Sequence, residues 1–460
     1  MGTGNFSSAV TWSTNAGQVS SSGLLTAPIV SSATNVTVTA TSTQDTTKSG
    51  TATVAVNPTA SANNVAPIIV DAGPAGLNFI SANVAFVTIT VCVPGNTPPS
   101  PQCQTIDHVS VDTGSSGLRI VSTVLNPNVA LPPELDSNNG NTLAECLVFL
   151  DGYVWGPVAT ADIYVAGEKA LNVPVQITIP DSGPPQVPTS CSSQAPPSGN
   201  GNEGDTVDDF GANGLIGVGL FQQDCGQGCA SNSPPPNFYY ACPSSGCNAT
   251  NVPLMQQVAN PVAGFATDNN GVLVQLPPVP NGGSLTSSGF LIFGIGTQSN
   301  NALGSSIVYP VPDNGSNAGD FTTIFSGTSY SGSFIDSGSN GLFFLNATTT
   351  MMPTCTVSGD DWYCPTSTTS FTAANEGSNG QMGPTTHFTI ENTDNLFNSN
   401  DTAFSTLGGP STTTAGSCVS NPNCYFDWGL SFFYGRNVFT AIENMNTPGA
   451  SGPYFAYDLP

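Results

Sequence analysis

The chain has 460 residues, room for two or three domains, and its 50 glycines, 38 prolines and scarcity of long apolar stripes at helical spacing point to mainly β structure with few, short helices. Four basic residues (Lys48, Arg119, Lys169, Arg436) stand against 29 acidic ones, a formal net charge of −25 that argues against nucleic acid and anionic membrane as partners. No run is apolar for long enough to span a membrane as a helix, and twelve cysteines suggest disulfides and an oxidising compartment.

In chain order, residues 1–57 carry short alternating strands (Ala9–Ser13, Gly23–Pro28, Val36–Thr41, Thr51–Val56) between Ser/Gly/Asn turns, the pattern of a small β-sandwich. Met1–Gly4 opens inside that module and no signal peptide precedes it, so an incomplete N-terminus with a missing first strand is expected. Residues 58–66 read as a linker. Ala82–Val91, a Pro-rich turn and Ile106–Val111 form a hairpin leading into Asp112-Thr113-Gly114-Ser115. Gly214–Gly219 is an apolar-Gly stretch, and a Pro/Ser/Gly-rich insertion at 222–250 follows it. Val252–Ala259, with Asn251 as cap, and Gly435–Glu443 are the helix candidates. Gly289–Gly296 is another apolar strand, Gly332–Ile335 enters Asp336-Ser337-Gly338-Ser339, and Trp428–Phe433 is a late apolar segment carrying Asp427 at its edge.

Local spacing pairs Cys92 with Cys103, Cys355 with Cys364 and Cys418 with Cys424. Cys225, Cys229, Cys242 and Cys247 in the insertion could pair in nested or sequential fashion. Their spacing also resembles a zinc site, but no His lies nearby and disulfides are favoured. His108 and His387 are isolated and support neither a metal nor a Ser-His site. No metal and no cofactor is expected.

The two Asp-Thr/Ser-Gly-Ser turns share one design. Each places a carboxylate where a strand gives way to a turn, and Gly114 and Gly338 let the backbone N–H approach it. Ser115 and Ser339, three residues on, can donate to the carboxylate. Two such carboxylates face to face share one proton, so that one is acid and the other base. Either turn alone would be an ordinary surface turn; the matched pair, each entered from an apolar strand, is the signal.

These motifs and their order resemble the pepsin-like aspartic peptidases over roughly residues 80–460. The resemblance implies a mainly β, bilobal double-barrel fold, with lobes at 67–288 and 289–460, each donating one catalytic Asp. It implies that Thr113 and Ser337 brace the two loops across the interface. It also implies a flap, matched by Cys146–Gly156 and Thr160–Val165, with Phe149, Gly152, Tyr153 and Trp155 near substrate. Cys146 and Cys191 would tie this flap region to the following loop. Two positions depart from the family together: Phe149 stands where a Tyr is usual, and Arg119 where that Tyr's Trp partner is expected. In a shifted register Tyr153 or Trp155 would take that part. The N-terminal module resembles bacterial immunoglobulin-like domains of cell-surface proteins, and spacing or display is its expected role.

The expected function is a secreted or cell-surface, monomeric aspartic endopeptidase acting on peptide or protein substrates in acid, where the near-absence of cations limits charge-driven unfolding. The same acidity also fits an ordinary Ser/Thr/Asn-rich secreted surface. The rival reading is a non-catalytic binding or structural protein on the same scaffold, favoured by the altered flap, by Asp427, and by the lack of a recognisable basic pro-segment. Glycoside hydrolysis also uses paired carboxylates but does not require matched turns.

Overall fold

A computed structural model describes residues 9–20, 23, 25–26, 34–56, 63–150, 152–194, 201–202, 204–414, 416–419, 421 and 423–459. They belong to two compact units, Met1–Ala62 and Asn63–Pro460. The protein is mainly β, and no helix among the described residues exceeds five residues.

In the first unit, β1 (Val10–Thr14), β2 (Thr34–Ser42) and β3 (Ser49–Val56) form an antiparallel sheet in that order, and Gln18–Val19 pairs with Leu25–Thr26. Val36 and Val38, two residues apart on β2, are buried, as the period of a strand requires for one inward face. The rest of the Gly23–Pro28 strand expectation, at Leu24, Ala27 and Pro28, lies outside the described residues, as do residues 58–62 of the linker.

The second unit starts with β4 (Val65–Val70), which begins inside the stretch read as linker because Ala66, Ile68 and Val70 alternate into the core. Then come β5 (Ala85–Cys92), β6 (Cys103–Asp112), β7 (Ser116–Val121), β8 (Thr142–Val148), β9 (Tyr153–Val165), β10 (Glu168–Thr178), β11 (Gly214–Val218) and β12 (Tyr239–Cys242). Further along are β13 (Gly271–Gln275), β14 (Ser287–Phe293), β15 (Thr328–Ile335), β16 (Leu342–Phe344), β17 (Phe426–Trp428), the one-turn helix α1 (Leu430–Phe433), β18 (Asn437–Ala441) and β19 (Tyr454–Tyr457).

One large sheet runs β12-β8-β9-β10-β7-β11-β6-β5-β4-β14-β13-β18-β19, with a short strand at each end. Its β4-β14-β13-β18-β19 portion joins strands from both ends of the unit. β14 spans the 288/289 position drawn from sequence as a lobe boundary and pairs with both β4 and β13. A seven-stranded sheet holds β15, β17 and β16. One hydrophobic core extends from Ala66 to Tyr457.

Two helix expectations are corrected. Of Val252–Ala259 only Leu254–Gln256 turns, as a single 3₁₀ turn. Gly435–Glu443 is not helical: it contains β18, whose Val438-Phe439-Thr440 core pairs with β13 on one side and β19 on the other. β-branched and aromatic residues fit a doubly flanked, buried strand, and that pairing overrides weak local preference.

All six disulfides form within sequence-local or loop pairs: Cys92–Cys103, Cys146–Cys191, Cys225–Cys229, Cys242–Cys247, Cys355–Cys364 and Cys418–Cys424. Between the two arrangements left open for the insertion, the pairing is sequential. Mass spectrometry of the digested, unreduced protein is expected to find no link between the 225–229 and 242–247 segments; a peptide joining them would overturn that pairing.

Candidate active site

Asp112 ends β6, and Asp336 follows β15, so both carboxylates leave their sheets at the first turn residue. Each turn is held by a strand threaded between its two flanks. β11 runs parallel to β6, with Gly217 opposite Asp112, and antiparallel to β7, with Gly217 opposite Gly117. β17 repeats this, parallel to β15 and antiparallel to β16. The strand of that second segment is therefore Phe426–Trp428, and most of the expected stretch beyond it is α1.

The two turns clasp each other. The Thr113 N–H donates to Ser337 Oγ at 3.1 Å, the Ser337 N–H donates to Thr113 Oγ1 at 2.9 Å, and Ser337 Oγ donates on to the Val111 carbonyl at 2.7 Å. Thr113 and Ser337 are both buried, so these bonds do not compete with water, and each contributes on the order of 1 kcal/mol.

The clasp sets the carboxyls against each other. Gly114 N–H lies 2.7 Å from Asp112 Oδ1 and 3.0 Å from Asp336 Oδ1, one donor shared by both acids. Gly338 N–H donates to Asp336 Oδ1 at 2.7 Å. Ser115 Oγ donates to Asp112 Oδ2, and Ser339 Oγ to Asp336 Oδ2 at 3.0 Å. The glycines are required by space: a Cβ on Gly114 would fall 2.5 Å from Asp336 Cγ, and one on Gly338 would fall 2.8 Å from Asp112 Cγ. Each loop thus leaves room for the other loop's acid. Both glycines are exposed, so solvent reaches the pair from their side.

Asp336 is pushed well above the ordinary carboxylate range, first by burial, then by its acidic neighbours Asp112 and Asp427, against the opposing pull of the Gly338 N–H. Asp427 is raised in the same direction, chiefly by burial. Such a pair takes up one proton readily and gives the arrangement an acid and a base side by side.

The residues expected at the flap are placed differently. β8 and β9 do form a hairpin, closed by the Phe149 N–H donating to the Gly152 carbonyl at 2.8 Å, with Phe149 half-buried and Gly152 buried. Tyr153 and Trp155, however, turn inward. Tyr153 OH donates to Asp181 Oδ2 at 2.7 Å, Trp155 Nε1 to the Pro185 carbonyl at 2.7 Å, and the Trp155 ring meets Tyr240 edge-on beside the Cys146–Cys191 disulfide. They pack beside Tyr240 of β12 on the face of the hairpin covered by the 179–191 segment, through Ile179, Val187 and Cys191, and are not exposed to a substrate.

Arg119 is also corrected: it is fully buried and its hydrogen bonds go elsewhere than Phe149. Its guanidinium donates to Glu145 Oε1 at 2.6 Å, to Asp224 Oδ2 at 2.9 Å and to the Ser116 carbonyl at 2.9 Å. Tyr239 OH donates to the other oxygen of Asp224 at 2.7 Å. One cation therefore faces two buried carboxyls. Burial opposes the guanidinium charge, but Glu145 and Asp224 outweigh it and raise its pKa, while burial and Glu145 push Asp224 well above the usual carboxylate range. This cluster binds the end of the first Asp loop to the hairpin strand and to the insertion. Sequence reading missed it because its members are local to nothing; a buried-length Arg in an otherwise apolar strand was the available signal.

Among the described residues, the grouping of donor atoms close enough to hold a metal, Cys355, Cys364 and Asp394, has both sulfurs in a disulfide.

With this geometry in view, comparison with known proteins adds the following. The family described as "Protein of unknown function (DUF3443)" matches residues 60–457. The chain belongs to that family. No curated protein matches it. Among solved structures it is similar to the aspartic proteinase from Irpex lacteus, with 13% identity, 86% of this chain and 96% of that chain covered, and a TM-score of 0.42.

Two outcomes follow. Arg119→Met leaves Glu145 and Asp224 without their cation and is expected to destabilise the fold by about 3–5 kcal/mol in urea unfolding; an unchanged midpoint would contradict the cluster's role. Asp336, Asp427 and Asp224 have folded pKa values above their unfolded ones, so the folded state binds protons more tightly. Their contribution is fully present below the ordinary carboxylate value of 3.8 and is lost as pH rises through their raised values. The melting temperature is therefore expected to rise as pH falls from about 7 to about 4; a fall over that window would count against these assignments.

Proposed function

We propose that the second unit is a pepsin-like, two-lobed aspartic endopeptidase, secreted or held at a cell surface, with Asp112 and Asp336 as its catalytic pair. The observation that carries this reading is the Gly114 N–H shared by two carboxyls whose loops are reciprocally clasped through Thr113 and Ser337. A water between the acids loses its proton to the ionised member and attacks the peptide carbonyl. The protonated member gives its proton to the carbonyl oxygen, and the tetrahedral species then collapses with protonation of the leaving nitrogen. No covalent intermediate and no cofactor takes part. The six disulfides fit an extracellular setting, and no helix among the described residues is long and apolar enough to cross a membrane. The first unit, in this reading, is an immunoglobulin-like module that spaces or displays the enzyme.

The inward-turned Tyr153 and Trp155 favour a second reading, a binding protein that retains the scaffold without cleaving. Incubation with an unfolded protein from about pH 2 to 7, with and without a transition-state-mimic inhibitor of aspartic peptidases, separates them. Inhibitable cleavage in acid is expected. Asp112→Asn is expected to lower it by roughly a thousandfold with the fold retained by circular dichroism. No cleavage at any pH would leave the binding reading standing.

A further inference from the structure

Asp427 is a third carboxyl beside the pair, and the clasp and the proposed chemistry leave it unused. It sits in the middle of β17, fully buried, opposite Phe334 of β15 and Phe343 of β16. Its neighbours on the strand, Phe426 and Trp428, point into the aromatic core, where Phe426 meets Phe325 and Phe344, and Trp428 Nε1 donates to Thr323 Oγ1 at 3.2 Å. Strand alternation therefore aims Asp427 at the opposite face, towards the second Asp loop. The groups it faces electrostatically are Asp112, Asp336 and Tyr425; burial holds it well above the ordinary carboxylate range, against a smaller opposing pull from the Ser339 hydroxyl. Neither of its oxygens has a hydrogen-bond partner in the present geometry.

The mate of this position in the other half is Leu215: β11 places Leu215 opposite Ser110, two residues before Asp112, as β17 places Asp427 opposite Phe334, two residues before Asp336. A carboxyl thus stands where the same architecture elsewhere holds a leucine.

No cation is at hand to neutralise it. Lys48 and Lys169 are exposed, Arg119 is committed to Glu145 and Asp224, and Arg436 donates to the Phe432 and His387 carbonyls. A buried, ionised carboxylate with no counter-charge and no hydrogen bond formed to it is strongly disfavoured, so the group is neutral and carries a proton to donate. Ser339 Oγ already gives its own hydrogen to Asp336 Oδ2, which leaves its lone pairs free to accept one.

We propose that Asp427 is a positioning residue: as a neutral acid it donates to Ser339 Oγ and thereby commits the Ser339 proton to Asp336. The first loop, with Leu215 at the matching place, lacks this support for Ser115, so the device distinguishes two otherwise equivalent carboxyls. The kinetic consequence rests on the peptidase reading; the hydrogen bond itself does not.

Two variants and an infrared measurement test it. Asp427→Asn keeps a donor of the same shape and is expected to retain kcat, KM and fold. Asp427→Leu, the residue native to the matching position, is expected to lower kcat about tenfold with KM unchanged, the effect of one lost hydrogen bond to the reacting pair. Independently of activity, the infrared difference between the wild-type protein and Asp427→Leu at neutral pH is expected to contain a protonated-carboxyl band, and that band is expected to move in Ser339→Ala. Absence of the band, its indifference to Ser339→Ala, or wild-type kcat in Asp427→Leu would each overturn the proposal. If the wild-type protein cleaves nothing, the peptidase reading falls and the infrared arm alone decides this inference.

Discussion

Two acids converge on one backbone N–H, that of Gly114, and this placement constrains everything around it. Two carboxylates this close repel unless a proton or a cation intervenes. The chain has almost no cations to offer, and those it has are placed elsewhere, so a proton must do the work. That requirement explains why the loops are built as mirror partners, with glycines that admit the opposing acid and hydroxyls that lock one loop to the other. It also explains why the threaded strands β11 and β17 are needed: without them the turns would have no rigid wall behind them.

The molecule meets the same electrostatic problem twice and solves it differently. At the Asp pair, negative charge is relieved by protonation, next to exposed glycines where protons can exchange. At Glu145 and Asp224, sealed from solvent, a guanidinium supplies the balance for one carboxyl, while the second is pushed towards its neutral form. The sealed cluster is suited to structure and the open pair to chemistry. Asp427 belongs to neither pattern, since it is sealed yet has no cation, and this sets it apart as a proton donor.

What could be read in the sequence was local. The Asp turns, the hairpin before Asp112 and the three short-range disulfides announce themselves over a few residues, since turn chemistry and cysteine spacing act at that range. What escaped was decided by distant partners. Gly435–Glu443 looks helical until β13 and β19 claim its backbone. Arg119 looks like a substituted flap partner until Glu145 and Asp224 close on it. Tyr153 and Trp155 lie on the hairpin as expected, but which face of a strand is buried depends on register and on what packs against it, and here the 179–191 segment covers the aromatic face.

β12, paired edge-on with β8, limits how a ligand could engage the hairpin. β12 occupies the outer edge of β8 from Thr142 to Glu145, and the Cys146 N–H donates beyond it to the Phe238 carbonyl, while β10 and the Gly201–Asn202 segment hold the other side of β9. Sheet extension by an incoming extended chain needs an unpaired edge, and on β8 one is left only past Cys146, at Leu147 and Val148. Recognition there would run through the tip rather than along the length, with the hairpin and the insertion held to the first Asp loop through Arg119.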